Sequence, residues 1–136
     1  MPDLNISAAW QGKLDSLARA KGSTLSGEEF HAAVNVVFHD VEAEVYDAAH
    51  REMWASLQPV VELLSQEALS ARGGGDLVLA DIGCGTGLAT SMLLATPLGR
   101  LITRIVGLDT SERMLERCRV RSAEWGRPVV LYRGSI

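Results

Sequence analysis

The stretch "DIGCGTG", Asp81–Gly87, joins the apolar run "LVLA" at 77–80 to the helix-like run "LATSMLLA" at 88–95. A short apolar run of this kind is the pattern of a buried parallel strand. A glycine-rich turn between such a strand and a helix makes a ligand crevice at the strand's end. Glycines reach positive φ and let a ligand approach with no Cβ in the way. The helix that follows adds free N–H groups and partial positive charge.

The same texture continues to residue 136. "LITRIVGLD" (101–109) reads as a second strand and "VVLYRGS" (129–135) as a third. "LATSMLLATPL" is a helix that Pro97 helps to close. "TSERMLERCRVRSAEW" is a second helix, with Met114, Leu115, Cys118, Ser122 and Trp125 on one side, ended by Gly126 and Pro128. The order β-α-β-α-β with short links predicts a parallel sheet with right-handed crossovers. Upstream the chain reads as helical. Ile6, Trp10, Leu14 and Leu17 mark a helix over 5–21. Ser26 and Glu29 have capping-box spacing ahead of the stripe Phe30, Val34, Val37, Val41 and Val45. A third helical stretch runs from about His50 to Arg72, kinked or restarted at Pro59 and stopped by Gly73–Gly75. The expected organisation is therefore a helical cap section over 1–72 and an α/β unit over 73–136.

The whole-chain properties exclude several classes. With 47% hydrophobic residues among 136, a packed core is expected. The net charge of −4 argues against a nucleic-acid-coating surface. The start "MPDLNISAAW" lacks a signal peptide's basic and apolar segments, and no run approaches a membrane span. A cytoplasmic protein is expected. Cys84 and Cys118, the only two cysteines, stand in unrelated contexts, so neither a disulfide framework nor a metal site is expected. Cys84 reads as a small turn residue. His31, His39 and His50 form no i, i+4 metal pair and are given packing roles. Arg113, Arg117 and Arg121 form an i, i+4, i+8 stripe, expected to be a solvated helix face.

The motif Asp81-Ile82-Gly83-Cys84-Gly85-Thr86-Gly87 resembles motif I of the class I S-adenosylmethionine-dependent methyltransferases, (D/E)-x-G-x-G-x-G. "IVGLDTSERMLERCR" is similar to that family's second motif, and "FHDVEAEVYDAAH" to the lead-in of many members. The dinucleotide fingerprint, by contrast, would want a small residue where Leu88 stands. The resemblance implies a Rossmann-like fold with strands in the order 3-2-1. It implies S-adenosylmethionine as cofactor and S-adenosylhomocysteine as product. The backbone of Gly83, Cys84, Gly85, Gly87 and Leu88 would pass under the ligand, with Asp81 near its ammonium end. Asp109 would accept the ribose hydroxyls, flanked by Leu108 and Thr110, and Met114 would pack on the adenine. Ser135 stands where the family often has an Asp that contacts the adenine amine. Tyr46, paired with His50 at i, i+4, would close over the cofactor. No catalytic residue is assigned.

A full domain of this family has seven strands in the order 3-2-1-4-5-7-6, and these residues supply strands 3, 2 and 1. Strand 1 is then expected at an open edge, above a sheet face that the helical section covers only in part. The expected partner is a second polypeptide that supplies the rest of the sheet, or a second copy joined through strand 1. The expected reaction is methyl transfer to a small-molecule acceptor by a split or truncated enzyme. The alternatives are a free-standing S-adenosylmethionine-binding or interaction module, and an NAD(P)-binding oxidoreductase half-domain.

Overall fold

The computed structural model describes Ser16, Ala20, residues 27–72 and residues 74–136. Apart from Ser16 and Ala20, the helix expected over 5–21 lies outside the described residues, as do the Ser26 cap and the side chains of Phe30 and His31. Within them the order is α1 (Gly27–Glu42), α2 (Tyr46–Ala49), α3 (Arg51–Arg72), β1 (Leu77–Ile82), α4 (Leu88–Leu94), a 3-10 turn (Pro97–Leu101), β2 (Ile102–Asp109), α5 (Glu112–Ser122) and β3 (Val129–Arg133).

All three strands are parallel, in the order β1-β2-β3, with Leu79 beside Ile105 and Ile105 beside Val129. This is the expected 3-2-1 arrangement read from the other side. Side chains alternate across a strand. Leu77, Leu79, Ile105, Val129 and Leu131 therefore face α4 and α5, where Ile102, Leu115, Cys118 and Trp125 complete a core. The other face carries Val78, Ile82 and Tyr132, each more than half exposed.

The helical section does not cover that second face. α1 packs on α5, and α3 packs on α4 and the 3-10 turn, so residues 27–72 join the layer that α4 and α5 already form. Ser65, fully buried on α3, fixes the second contact. Its hydroxyl donates to Thr96 Oγ1 at 2.9 Å and accepts from Leu98 N at 3.3 Å. The helix boundaries also differ from expectation. α1 stops at Glu42, and Val45 lies in the turn before α2 rather than on the stripe. α3 neither restarts nor ends at Pro59, which lies inside one helix from Arg51 to Arg72.

Among the described residues, no strand pairs with the outer edge of β1. No described helix is long and apolar enough to cross a membrane.

Candidate functional site

The turn after β1 is pinned to the end of β2. The N–H groups of Gly83 and Cys84 both donate to the Leu108 carbonyl, at 2.7 and 3.0 Å. The glycines then serve different ends. At Gly85, φ is +52° and a Cβ would meet nothing within 4 Å, so the backbone faces open space. At Gly87, φ is +77° and a Cβ would lie 2.8 Å from Cys118 Sγ and 3.0 Å from the Trp125 ring. Gly85 keeps a surface bare, whereas Gly87 lets α4 begin hard against α5.

Asp109 braces this turn. One carboxylate oxygen accepts from Gly85 N and the other from Ser111 N, both at 2.8 Å. Each oxygen keeps one further lone pair. Ser111, fully buried, caps α5 by accepting from Met114 N at 3.1 Å and donates its own hydroxyl to Asp40 on α1 at 2.6 Å.

A cavity of about 420 Å³ opens where the strands end. Of the residues singled out from sequence, Gly83, Cys84, Gly85, Asp109, Thr110, Met114 and Ser135 line one side, and Tyr46 lines the other. Asp81, Gly87 and Leu88 do not line it. Asp81 is in register with Gly107, on the core face of the sheet, and accepts a hydrogen bond from Thr90 on α4. It borders a second cleft of about 230 Å³ between α3, β1 and α4. Gly87 is turned to the α5 packing described above, and Leu88 is the first residue of α4.

Asn35, His39 and Trp54 line the cavity beside Tyr46 and had no signal in the sequence. Tyr46 is the centre of a ring cluster, with centroids 4.5 Å from His50, 5.8 Å from His39 and 6.3 Å from Trp54. Burial, then the carboxylates of Glu42, Asp47 and Asp109, push the Tyr46 phenol above its usual range. His39 Nδ1 and Trp54 Nε1 are buried with no hydrogen-bond partner among the described residues. So are Glu42 Oε2 and His50 Nε2, which lie 3.7 Å from each other.

The arginine stripe is exposed at Arg113 and Arg117, as expected of a solvated face, and departs from expectation at its half-buried last member, Arg121. Arg113 pairs with Glu116 on its own helix, but Arg117 reaches Glu44 at 3.3 Å and Arg121 reaches Asp47 at 2.5 Å. Arg121 also donates to the carbonyl and hydroxyl oxygens of Thr86, at 2.6 and 2.9 Å. The Thr86 hydroxyl donates to the other Asp47 oxygen at 2.7 Å. The stripe thus meets an acidic partner inside the same chain, and its last member ties α2 to the glycine turn.

The two cysteines, 34 positions apart in sequence, also meet. Both are free and buried in the core. The Cys84 thiol is pushed up by its hydrogen bond with Cys118, by burial and by the nearby carboxylates of Asp81 and Asp109.

Residues 79–136 match the family model described as a methyltransferase domain. Their fold agrees with solved structures that share the sheet. DhpI, in its complex with SAM and HEP, is 22% identical with a TM-score of 0.54, over 82% of this chain and 45% of that one. DhpI in its SAH complex is 23% identical with a TM-score of 0.51, over 73% and 42%. DesVI of Streptomyces venezuelae is 22% identical with a TM-score of 0.51, over 69% and 36%. The chain thus spans less than half the length of these structures. No curated protein matches it. The family model thus supports a likeness to methyltransferase domains over residues 79–136, and the solved structures agree with it in fold.

Proposed function

We propose that this chain forms the cofactor-binding part of an S-adenosylmethionine-dependent methyltransferase, with a small molecule as acceptor and S-adenosylhomocysteine as product. The observation that carries the reading is the open cradle at the strand ends. Gly83 and Gly85 border a cavity and a Cβ on either would meet no neighbour, and Asp109 stands beside them with one lone pair to spare on each oxygen. Residues of these types suit the group. The spare Asp109 lone pairs match a ribose diol. Leu108 and Met114 offer apolar surface to a purine, and Ser135 offers it a hydrogen bond. Asp81, engaged by Thr90, acts on the ammonium end only through the turn it supports.

When bound, the cofactor supplies a methyl carbon on a positively charged sulfur, open to displacement by an acceptor's lone pair. The chain's own share is placement. Asp109 fixes the turn and the α5 cap together, so the cradle is formed before any ligand arrives. The carboxylates around Tyr46 favour a cation in the cavity. Tyr46 and Trp54 line the side opposite the glycines.

The open β1 edge and the apolar face of Val78, Ile82 and Tyr132 support a further proposal on assembly. An unpaired edge beside uncovered apolar surface is a place for another strand. We assign it to a parallel strand beside Leu77–Ile82, from the remainder of the enzyme or a second polypeptide, with a second copy of this chain as the alternative. Activity then depends on that completed sheet. Native mass spectrometry distinguishes the cases by the mass that travels with the chain.

Calorimetry tests the ligand. S-adenosylmethionine and S-adenosylhomocysteine are expected to bind more tightly than NAD. Tighter binding of NAD would overturn the reading in favour of an oxidoreductase half-domain.

A further inference from the structure

Two thiols meet beside the cradle, and methyl transfer uses neither. Cys84 stands in the glycine turn and Cys118 on α5, both free and both buried in the core. Their side chains share a hydrogen bond. Two glycines clear the space around the pair. A Cβ on Gly107, within β2, would lie 3.1 Å from Cys84 Sγ, and one on Gly87 would lie 2.8 Å from Cys118 Sγ. A glycine inside a strand often marks such a close approach.

The two sulfurs differ in access and in charge. Cys84 borders the cavity at the strand ends, whereas Cys118 does not line it and is 1% exposed. The hydrogen bond between them, ahead of burial, pushes the Cys84 thiol up, and the same bond pulls the Cys118 thiol down. Cys118 therefore holds the negative charge more readily and Cys84 keeps the proton. A disulfide is about 2.05 Å long, far shorter than a hydrogen-bonded contact between sulfurs. Closing it draws the turn toward α5, which is the more firmly held of the two by its helical bonds and the Ser111 cap. Gly83 N and Cys84 N are bound to the Leu108 carbonyl, and Gly85 N is bound to Asp109. The shift strains those bonds, and they are the ones that shape the cradle.

We propose that Cys84 and Cys118 form a peroxide-sensitive switch, in which a disulfide between them distorts the glycine turn and lowers cofactor affinity until a thiol reductant restores it. The ligand side of the proposal rests on the methyltransferase reading above; the disulfide and its effect on the turn do not. Peroxide reaches Cys84 through the cavity. The Cys84 proton passes to the Cys118 thiolate as the Cys84 sulfur attacks one peroxide oxygen. The O–O bond breaks, hydroxide leaves, and Cys84 becomes a sulfenic acid. The Cys118 sulfur then attacks the Cys84 sulfur, the S–S bond forms, and the hydroxyl departs as water with the Cys118 proton. The thiol pair loses two electrons, and the peroxide that gains them ends as water.

The test treats the intact protein with hydrogen peroxide. Peptide mapping without reductant should show a Cys84–Cys118 crosslink. Exchange of the Gly85 amide should speed up roughly tenfold or more, and calorimetry should show S-adenosylhomocysteine binding weakened roughly tenfold or more. Dithiothreitol should reverse all of these changes. Cys118→Ala removes the partner sulfur and leaves the cavity lining intact. It should bind S-adenosylhomocysteine within about twofold of the unmutated protein, before and after peroxide. Should that variant fold poorly, reversal by dithiothreitol in the unmutated protein carries the same distinction. Absence of the crosslink, a crosslink that leaves Gly85 exchange and ligand affinity unchanged, or an equal loss of affinity in peroxide-treated Cys118→Ala would overturn the switch. Failure of the reduced protein to bind S-adenosylhomocysteine would instead overturn the methyltransferase reading, and the crosslink and Gly85 exchange would still decide whether the turn responds to oxidation.

Discussion

Arg121→Ala should release the Tyr46 wall from the glycine turn while leaving the α/β core folded. In the intact chain Arg121 makes three hydrogen bonds, one to Asp47 and two to Thr86. A fully buried, charge-assisted hydrogen bond is worth about 1.5–3 kcal/mol. A fully exposed ion pair is worth about 0–1 kcal/mol. The Arg121 and Asp47 side chains are 27% and 29% exposed, so this group lies between the two cases. After the substitution Asp47 keeps its bond from the Thr86 hydroxyl and regains water. A net loss of about 2 kcal/mol follows, roughly 30-fold in the ratio of docked to undocked α2.

Hydrogen exchange reads that ratio directly. The amides of Ala49, His50 and Trp54 each donate to a carbonyl four residues back, across the α2–α3 junction. Their protection should fall by roughly 30-fold, while amides paired between β1 and β2 should be unaffected. Arg121→Lys keeps the charge but loses the planar fork, so it should recover only part of the protection. Asp47→Ala should have a similar effect, and combining it with Arg121→Ala should add little, because both remove one interaction. Protection at Ala49, His50 and Trp54 within twofold of the unmutated protein in Arg121→Ala, with an unchanged circular dichroism spectrum, would refute the assignment.

Asp109→Ala should cost cofactor affinity on the order of 100-fold, through charge-assisted bonds of roughly 1.5–3 kcal/mol each. It should also lower Tm, because Gly85 N and Ser111 N lose their acceptor; calorimetry and thermal unfolding separate the two effects. Gly87→Ala should destabilise by about 2–4 kcal/mol, from overpacking against Cys118 and Trp125 together with a positive φ. Gly85→Ala, which meets no neighbour, should cost only about 1–2 kcal/mol for its φ; denaturant midpoints give the order. The raised Cys84 thiol carries less thiolate at pH 8 than a free cysteine does, so its alkylation in the native protein should be slow and should accelerate only at higher pH, while unfolding exposes both thiols at once. Val78→Lys places a charge on the uncovered sheet face and should reduce any self-association seen by light scattering, with no loss of Tm.

The strands and the turn were legible because their signals are local: an apolar run, then glycines, then a helical period. The position of Asp81 was legible too, by parity. Leu77, Leu79 and Asp81 alternate onto one face, and that face is the core, so the carboxylate points to Thr90 and away from the cavity. The resemblance drew attention to the residue type and obscured this alternation. The end of the arginine stripe, Arg121, was missed for a different reason. An i, i+4, i+8 row of cations looks the same in sequence whether water or an acidic segment more than 70 positions away faces it. Glu44 and Asp47 are that segment. Trp54 was hidden likewise, and so was the place of His39, since the packing of α1 on α5 and of α3 on α4 brings the helical section to the cavity. Cys84 and Cys118 illustrate the same limit in the core.

α5 does the work of relating the two walls. Its apolar side, Met114, Leu115 and Cys118, is buried against the sheet and the glycine turn. Its polar side holds the helical section at three points, Ser111 to Asp40, Arg117 to Glu44 and Arg121 to Asp47. Two of these points are also anchored in the cradle, because Ser111 N is bound by Asp109 and Arg121 is bound to Thr86. A shift of the helical section along α5 would therefore strain the glycine turn, and a change at the turn would be felt at Tyr46. The spacing between the two walls is consequently a property of one helix, fixed at its N-cap, Ser111, and again about three turns later at Arg121. An exposed Arg117–Glu44 pair between those anchors contributes little by itself. The ends carry the constraint, which is why Arg121 rather than Arg117 is the residue whose loss should reach the cavity.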